Sequence, residues 1–467
     1  MKPQPLSIIG MGYVGLSTAI GFASKGFTVV GSDLDKEKTN QIQEGNLPFY
    51  EPSLLGLLRN TLETGKLNFA SSCEDAVLKT DVTFVTVGTP SRLGGRIDLG
   101  CLKEAVFEIG DALSKKSTYH LVVIKSTVIP TATEKSLIPA LEEHSGKKCG
   151  DGFGLCMNPE FLREGSALDD ILQPNRIIIG EYDQKSGDTL EALYRGFYFE
   201  DIPPIIRTSL QNAELIKYAS NSFLAAKISF INTIANICEK TPGADVGIVA
   251  KGMGLDKRIG SQFLNAGLGY GGSCLPKDVA ALIAYSKTLG YKPDLLNAVE
   301  EVNKTQPPKF VELCKEFLND LKDKNIAILG LAFKPDTDDI REAVSIQIIQ
   351  QLLDEGANVT AYDPIAMRNT KSIFQDKIKY ATSAIKCLKN ADCCLLVTEW
   401  DEFKNLTPED FRKNMKQAIL LDGRRIYDPN DFCRKMRFAA VGWKKNVKAS
   451  NSHKGKRFFH SQNSKAP

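Results

Sequence analysis

The chain has 467 residues, 42% of them hydrophobic and 25% charged, and a formal net charge of +3. This is ordinary globular composition with length for two or three domains. Residues 444–467 hold seven Lys/Arg and no acid, which leaves the rest at about −4 and excludes a nucleic-acid-binding body.

Met1-Lys2-Pro3-Gln4-Pro5 runs straight into a strand, so no secretory signal is expected. No uninterrupted apolar run is long enough to span a bilayer, and no membrane partner is expected. The eleven cysteines include no CxxC pair, which points to reduced thiols and a cytoplasmic setting; adjacent Cys393 and Cys394 lie in an apolar run and read as core. Four histidines (His120, His144, His453, His460) make no metal-ligand spacing, so no metal is expected and acid–base work falls to other side chains.

Leu6-Ser7-Ile8-Ile9 reads as a buried strand. It enters Gly10-Met11-Gly12-Tyr13-Val14-Gly15 and then an apolar helix pattern through Leu16, Ala19, Ile20 and Ala23. In this strand–turn–helix setting the first glycine makes the turn. The second admits a pyrophosphate and the third lets helix pack on strand. The helix N-terminus offers amide donors to phosphate. A second strand, 27–32, ends at Asp33, 18 residues beyond Gly15. A carboxylate there holds a ribose diol and repels a 2′-phosphate, so NAD is expected rather than NADP.

Further strands are expected over 81–87, ending in Gly88-Thr89-Pro90, over 120–124, ending in Lys125-Ser126-Thr127, and over 154–157, ending in Asn158-Pro159-Glu160. Open α/β sheets place ligands at this edge. Thr89, Thr127, Glu160 and Glu164 are therefore candidates, with a cap or turn role as the alternative for each.

Ser209 to Thr241 contains neither Gly nor Pro and predicts one long helix, able to join two domains and offer a dimer face. Lys217 and Asn221 are four apart and share a face. That face is either solvated or part of a site; flanking Leu215, Ile216, Phe223 and Leu224 imply a largely buried helix and favour a site. Next comes Gly269-Tyr270-Gly271-Gly272-Ser273-Cys274-Leu275-Pro276-Lys277-Asp278. Pro276 suits a first helical turn. A thiol at a helix N-terminus beside Lys277 is expected to ionise near neutral pH, and the glycines are expected to let a ligand lie against backbone. From this stretch alone Cys274 is either a nucleophile or an inert buried cysteine.

A second α/β unit opens with the strand at 325–329 and Gly330. A helix follows around 346–353, then a strand over 358–362 with Asp363 at its end, then strands over 393–398 and 418–421. Its turn lacks the three-glycine pattern, which points to a nucleotide other than a second NAD. The expected fold class is α/β, with two Rossmann-like doubly wound domains joined by a long central helix. The divisions are 1–208 (NAD-binding), 209–308 (central helical and dimerisation region with the cysteine loop), 309–442 (binding the other nucleotide) and 443–467 (a basic disordered tail).

Together these residues resemble the UDP-glucose/GDP-mannose dehydrogenase family over roughly 5–435. The likeness rests on the glycine turn through Leu16, Tyr50-Glu51-Pro52, Gly88-Thr89-Pro90, Ser126-Thr127-Val128 and Asn158 through Gly165. It also rests on Lys217 with Asn221, Gly271 through Asp278, and Gly330 through Lys334 with Asp339-Ile340-Arg341-Glu342. Ser53, where glycine often follows Tyr-Glu-Pro, and the late Pro130 depart from the commonest pattern.

The resemblance implies a four-electron oxidation of a sugar C6 alcohol to a carboxylate with two NAD in succession. UDP-glucose is the favoured sugar, ahead of GDP-mannose or a UDP-N-acetylhexosamine. By likeness Cys274 is the nucleophile, Lys217 and Asn221 stabilise oxyanions, Glu160 and Asp278 activate water or orient Lys217, and Thr127 holds a water. Cofactor positions are Gly10, Met11, Gly12, Tyr13, Val14, Asp33, Lys38, Thr89, Thr127, Glu164, Lys277 and Arg341. Sugar-nucleotide positions are Glu160, Phe161, Leu162, Arg163, Glu164, Lys217, Asn221, Phe263, Leu264, Asn265, Ala266, Gly267, Gly271 and Lys334. Arg258 matches an arginine that reaches a neighbouring subunit's site, which implies a homodimer or larger homo-oligomer. A two-electron hydroxyacid dehydrogenase would need neither Cys274 nor a second nucleotide domain. A non-catalytic nucleotide-sugar sensor would not need the full set of matched residues.

Overall fold

The computed structural model describes residues 4–443. Near-continuous apolar runs, buried on both faces, form parallel strands. The first sheet comprises β1 (Leu6–Ile9), β2 (Val29–Ser32), β3 (Leu67–Phe69), β4 (Val82–Val85), β5 (Leu121–Ile124), β6 (Gly154–Met157), β7 (Ile177–Glu181) and β8 (Ile205–Ser209). Its order is β3-β2-β1-β4-β5-β6-β7-β8, with only the β6–β7 pairing antiparallel. The second comprises β9 (Asn325–Leu329), β10 (Asn358–Tyr362), β11 (Lys379–Tyr380), β12 (Cys393–Leu396), β13 (Ile419–Asp422) and β14 (Arg437–Ala440), in the order β11-β10-β9-β12-β13-β14 and parallel throughout. Two doubly wound sheets are thus present, as the sequence implied, and the second repeats the order of the first six strands of the first. The basic tail lies outside the described residues from 444 on; Trp443, assigned to it, instead bridges to Asp245 and packs near Phe438.

The long helix spans Leu210–Cys238, capped by the Ser209 side chain on the Asn212 amide, and is about 43 Å long. Leu210 and Ala213 pack in the core beside the first sheet, and Ile231, Ala235 and Cys238 in the core of the second. One rigid rod therefore enters both cores. The expected burial holds for the polar pair but not for every apolar neighbour. Leu215, Phe223, Phe230 and Ile237 are exposed, while Lys217 and Asn221 are buried. The polar pair faces inward, among buried Ala213, Tyr218 and Ala225, because it meets polar partners there, and the outward face carries further apolar side chains.

Ser53 adopts φ +68°, the left-handed region where glycine is unstrained, at a cost of about 1 kcal/mol. None of the eleven cysteines is paired, and no helix among the described residues is long and apolar enough to cross a membrane.

His120 is buried under the first sheet, with Nε2 2.7 Å from Thr83 Oγ1 and Nδ1 3.1 Å from the Lys116 ammonium. Burial and that cation push its pKa down to about 3. The unfolded chain titrates this imidazole near 6.5, so between pH 6.5 and 3 the unfolded state binds the extra proton and stability falls with pH. The His120→Gln variant is expected to be less stable at pH 7. Its deficit should shrink by on the order of 3 kcal/mol by pH 4, measured as paired denaturant titrations. A pH-independent deficit would rule this out.

Candidate active site

The C-terminal ends of β1, β2 and β4 frame a cleft of ≈ 600 Å³ lined by Gly10, Gly12, Asp33, Lys38 and Gly88. A Cβ on Gly12 would meet nothing within 4 Å, so that backbone is open to a ligand; one on Gly15 would lie 1.9 Å from the Gly10 carbonyl oxygen, so helix and strand need glycine there. Asp33 accepts from the Met11 amide at 2.6 Å and from Lys38 Nζ at 3.0 Å. The cradle fits a dinucleotide diphosphate with its ribose on Asp33. Tyr13 hydrogen-bonds Glu51, whose carboxylate also takes the Gly165 and Ala167 amides at 2.7 and 2.9 Å. The dinucleotide turn is thereby tied to the loop after β6.

That loop supplies Glu160. Its Oε1 lies 2.7 Å from Lys217 Nζ, which also donates to the Glu160 carbonyl oxygen at 2.8 Å, and its Oε2 accepts from the Leu162 amide at 2.6 Å. Both side chains are buried. Burial alone would raise the Glu160 carboxyl and depress the Lys217 ammonium. Their mutual attraction outweighs it, so Glu160 is held below, and Lys217 above, its usual range. Two Lys217 N–H groups serve Glu160, which leaves the third for a ligand. One turn on, Asn221 Nδ2 donates to Asp278 Oδ2 at 2.6 Å, and Lys277 Nζ pairs with Asp278 Oδ1 at 2.5 Å.

Cys274 sits at the N-cap of the helix Leu275–Thr288, and Asp278 donates its amide to the Cys274 carbonyl at 2.9 Å. Its thiol, 3.5 Å from Ser273 Oγ, shares the electrostatic neighbourhood of Glu160, Lys217 and Asp278. The expectation of a thiol ionised near neutral pH is not met: burial, with Glu160 next, pushes it up despite Lys217. Lys277 does not offset this because its charge is spent on Asp278.

The reason given for the glycines also needs correcting. A Cβ on Gly271 would lie 2.2 Å from the Glu342 carbonyl oxygen, and one on Gly272 would lie 2.7 Å from the Phe333 ring. Their missing side chains admit the second nucleotide unit's backbone and ring. The Gly272 amide donates to the Arg341 carbonyl at 2.9 Å.

Glu164 joins the two halves. Its carboxylate accepts from Ser273 Oγ at 3.2 Å, Thr337 Oγ1 at 3.0 Å and Arg341 Nη2 at 3.4 Å, while Lys334 reaches its carbonyl. Burial and the neighbouring Asp339 push it up to about 7. Thr89 Oγ1 donates to the Thr127 carbonyl at 2.8 Å, which links the β4 and β5 edges. Phe161 lies under Lys217 Nζ at 5.5 Å. Arg163 instead pairs with Asp170. Leu264, Ala266 and Gly267 are buried, Asn265 is exposed, Phe263 adopts φ +63°, and the Gly267 amide is held by Asn232 on the central helix at 2.8 Å. Arg258 stands apart, exposed and paired with Asp256.

Sequence reasoning passed over three contributors. Glu51 was visible in Tyr-Glu-Pro but had no role, Ser273 was read only as loop, and Lys125 was read only as the end of a strand. Lys125 is buried, with Nζ 3.0 Å from Asn158 Oδ1.

Residues 4–198, 211–305 and 327–429 match the NAD binding, central and UDP binding domains of the UDP-glucose/GDP-mannose dehydrogenase family. The chain is 47% identical over 422 residues to the UDP-glucose 6-dehydrogenase AglM of Haloferax volcanii, covering 90% of this chain and 96% of that relative. It is 40% identical over 424 residues to TuaD, a UDP-glucose 6-dehydrogenase of Bacillus subtilis, covering 91% and 90%. Among solved structures, a UDP-glucose dehydrogenase from Pyrobaculum islandicum superposes with a TM-score of 0.87 at 38% identity, covering 94% of this chain and 98% of that one. A UDP-D-ManNAc dehydrogenase from Pyrococcus horikoshii gives 0.83 at 29% identity, covering 94% and 99%.

Proposed function

The chain belongs to the UDP-glucose/GDP-mannose dehydrogenase family, and from that premise we propose that it oxidises UDP-glucose twice at C6 to give UDP-glucuronate. The observation that carries this reading is the thiol of Cys274 set among Lys217, Glu160 and Asp278 at the junction of the two nucleotide units. A two-electron dehydrogenase has no use for that thiol.

NAD is the cofactor, and bound NAD supplies the hydride acceptor for each oxidation. Lys217, with its free N–H, and Asn221 hold the C6 oxygen as it loses its proton. Glu160 aims Lys217, and Asp278 aims Asn221. The Cys274 thiol then adds across the C6 aldehyde, S–C forming as the proton passes to oxygen, to give a thiohemiacetal. Loss of a second hydride and the hydroxyl proton leaves a thioester. Water held near Thr127 cleaves C–S, returning the thiol and releasing the carboxylate. Because the thiol is protonated at rest, it gives up its proton only as it bonds to carbon.

Phe223, Phe230 and Ile237 are 67%, 50% and 55% exposed at seven-residue spacing along the central helix. A second copy of the chain would bury this stripe in a two-fold contact. The exposed Arg258 fits a role in the neighbouring copy's site.

The test is the yield of NADH per sugar on the purified protein. A ratio near two is expected with UDP-glucose. A ratio near two obtained only with GDP-mannose or a UDP-N-acetylhexosamine would transfer the assignment to that sugar, and no nucleotide-dependent NADH at all would end the enzymatic reading.

A further inference from the structure

Lys125 directly follows β5, and Asn158 directly follows the adjacent β6, where Ile124 and Met157 are paired in register. Two neighbouring strand ends thus place a lysine directly behind the Glu160 loop. The lysine is buried, and the one protein hydrogen bond of its ammonium among the described residues is to Asn158 Oδ1 at 3.0 Å. Asn158 is itself fixed, accepting from the Tyr194 hydroxyl at 2.5 Å and donating to the Ile178 carbonyl at 2.8 Å. Beside Lys125 lies a cavity of ≈ 80 Å³, also lined by Glu160, Asp170, Arg176, Tyr194 and Tyr198. It is polar and roomy enough for water to take the remaining ammonium protons.

A buried ammonium with a single neutral partner is costly, and neither nucleotide contact nor the chemistry above uses it. Glu160 lines the same cavity, and the charges of Glu160 and Lys217 both act on the Lys125 ammonium. Glu160 is ionised against its own burial, and Lys125 is a second cation acting on it after Lys217. We propose that Lys125 is a positioning residue of that pair: its ammonium, clamped by Asn158, keeps Glu160 ionised so that Glu160 stays aimed at Lys217. Burial lowers the Lys125 ammonium to about 8, so the support fades as pH rises past that value. Below it, both cations flank one carboxylate, and Lys217 keeps an N–H free for the substrate oxygen.

The inference rests on the roles proposed above for Lys217 and Glu160, so wild-type turnover of UDP-glucose is measured first; its absence would sink that reading and not this one in particular. Given turnover, Lys125→Met, close in length but neutral, is expected to move the acid limb of the kcat/KM profile up by about 1 pH unit, lower kcat, and leave the KM for NAD within twofold. Lys125→Arg, with a permanent charge, should keep the acid limb at its wild-type position and lose any alkaline limb near pH 8. An unmoved acid limb in Lys125→Met, or an equal displacement in Lys125→Arg, overturns the proposal. Should Lys125→Met fail to fold, Lys125→Arg decides alone: persistence of the wild-type limb near pH 8 counts against it, and loss of that limb with the acid limb unchanged supports it.

Discussion

Cys274→Ser is expected to cut turnover of UDP-glucose by roughly 10³-fold, about 4 kcal/mol of barrier, and to drop the NADH yield per sugar below two. The hydroxyl is a much weaker nucleophile than a thiol and a poorer leaving group from an acyl carbon. Lys217, Asn221 and the dinucleotide cradle are untouched, so the first oxidation keeps its machinery while the second loses the atom that holds the aldehyde. A slow covalent or aldehyde-level species should therefore be visible by mass spectrometry of the quenched variant. The resting thiol of the wild type, raised by burial, should react slowly with iodoacetamide at pH 7 and faster as pH climbs. Wild-type rate and stoichiometry in the serine variant would remove Cys274 from the chemistry.

Much of this site was readable before any coordinates because its parts have local signatures. The Gly10–Gly15 turn, Asp33 and the residues at the ends of β4, β5 and β6 follow from strand–turn–helix patterns, and all fall on the ligand-bearing edge. What failed was what depends on distant chain. Gly271 and Gly272 read as room for a ligand, yet Glu342 and Phe333 fill it. Helix-terminus logic promised an ionised Cys274, but desolvation and the nearby Glu160 outweigh a terminus whose lysine is paired with Asp278.

The central helix misled by composition, since apolar residues read as core whichever way they face; here Phe223 faces out and Lys217 in. The strands β7 and β8 follow Pro174-Asn175 and Pro203-Pro204, punctuation that does not say which sheet they join; the antiparallel β6–β7 pairing is what adds them to the first. The helix Asp294–Leu318 runs through Pro307 and Pro308 and across the division expected at 308/309. Lys125 was hidden because one lysine before Ser-Thr looks like any strand end; only the register of β5 with β6 puts it behind Glu160.

Lys217→Met should separate what this lysine does for the fold from what it does for the substrate. Removing the ammonium leaves a buried Glu160 carboxylate with the Leu162 amide as its one remaining hydrogen bond, a loss of about 3–5 kcal/mol at neutral pH if the carboxylate stays charged. Lys217 is the largest influence holding Glu160 below its usual range against burial, ahead of the Leu162 amide and Lys125, so in the variant its folded pKa rises above that of the unfolded chain. In the wild type the stability due to Glu160 is present above the unfolded carboxyl pKa and is lost as pH falls through the lower folded value. In the variant the sign reverses, and stability improves as pH falls from 7 toward 4. Adding Glu160→Gln removes the stranded charge and should restore most of the stability at pH 7. Activity should not follow, because the N–H that held the C6 oxygen is gone, and kcat should stay about 10²–10³-fold down in both variants. If the double variant instead recovers turnover along with its unfolding midpoint, Lys217 is there only to neutralise Glu160, and the oxyanion contact must come from Asn221 alone.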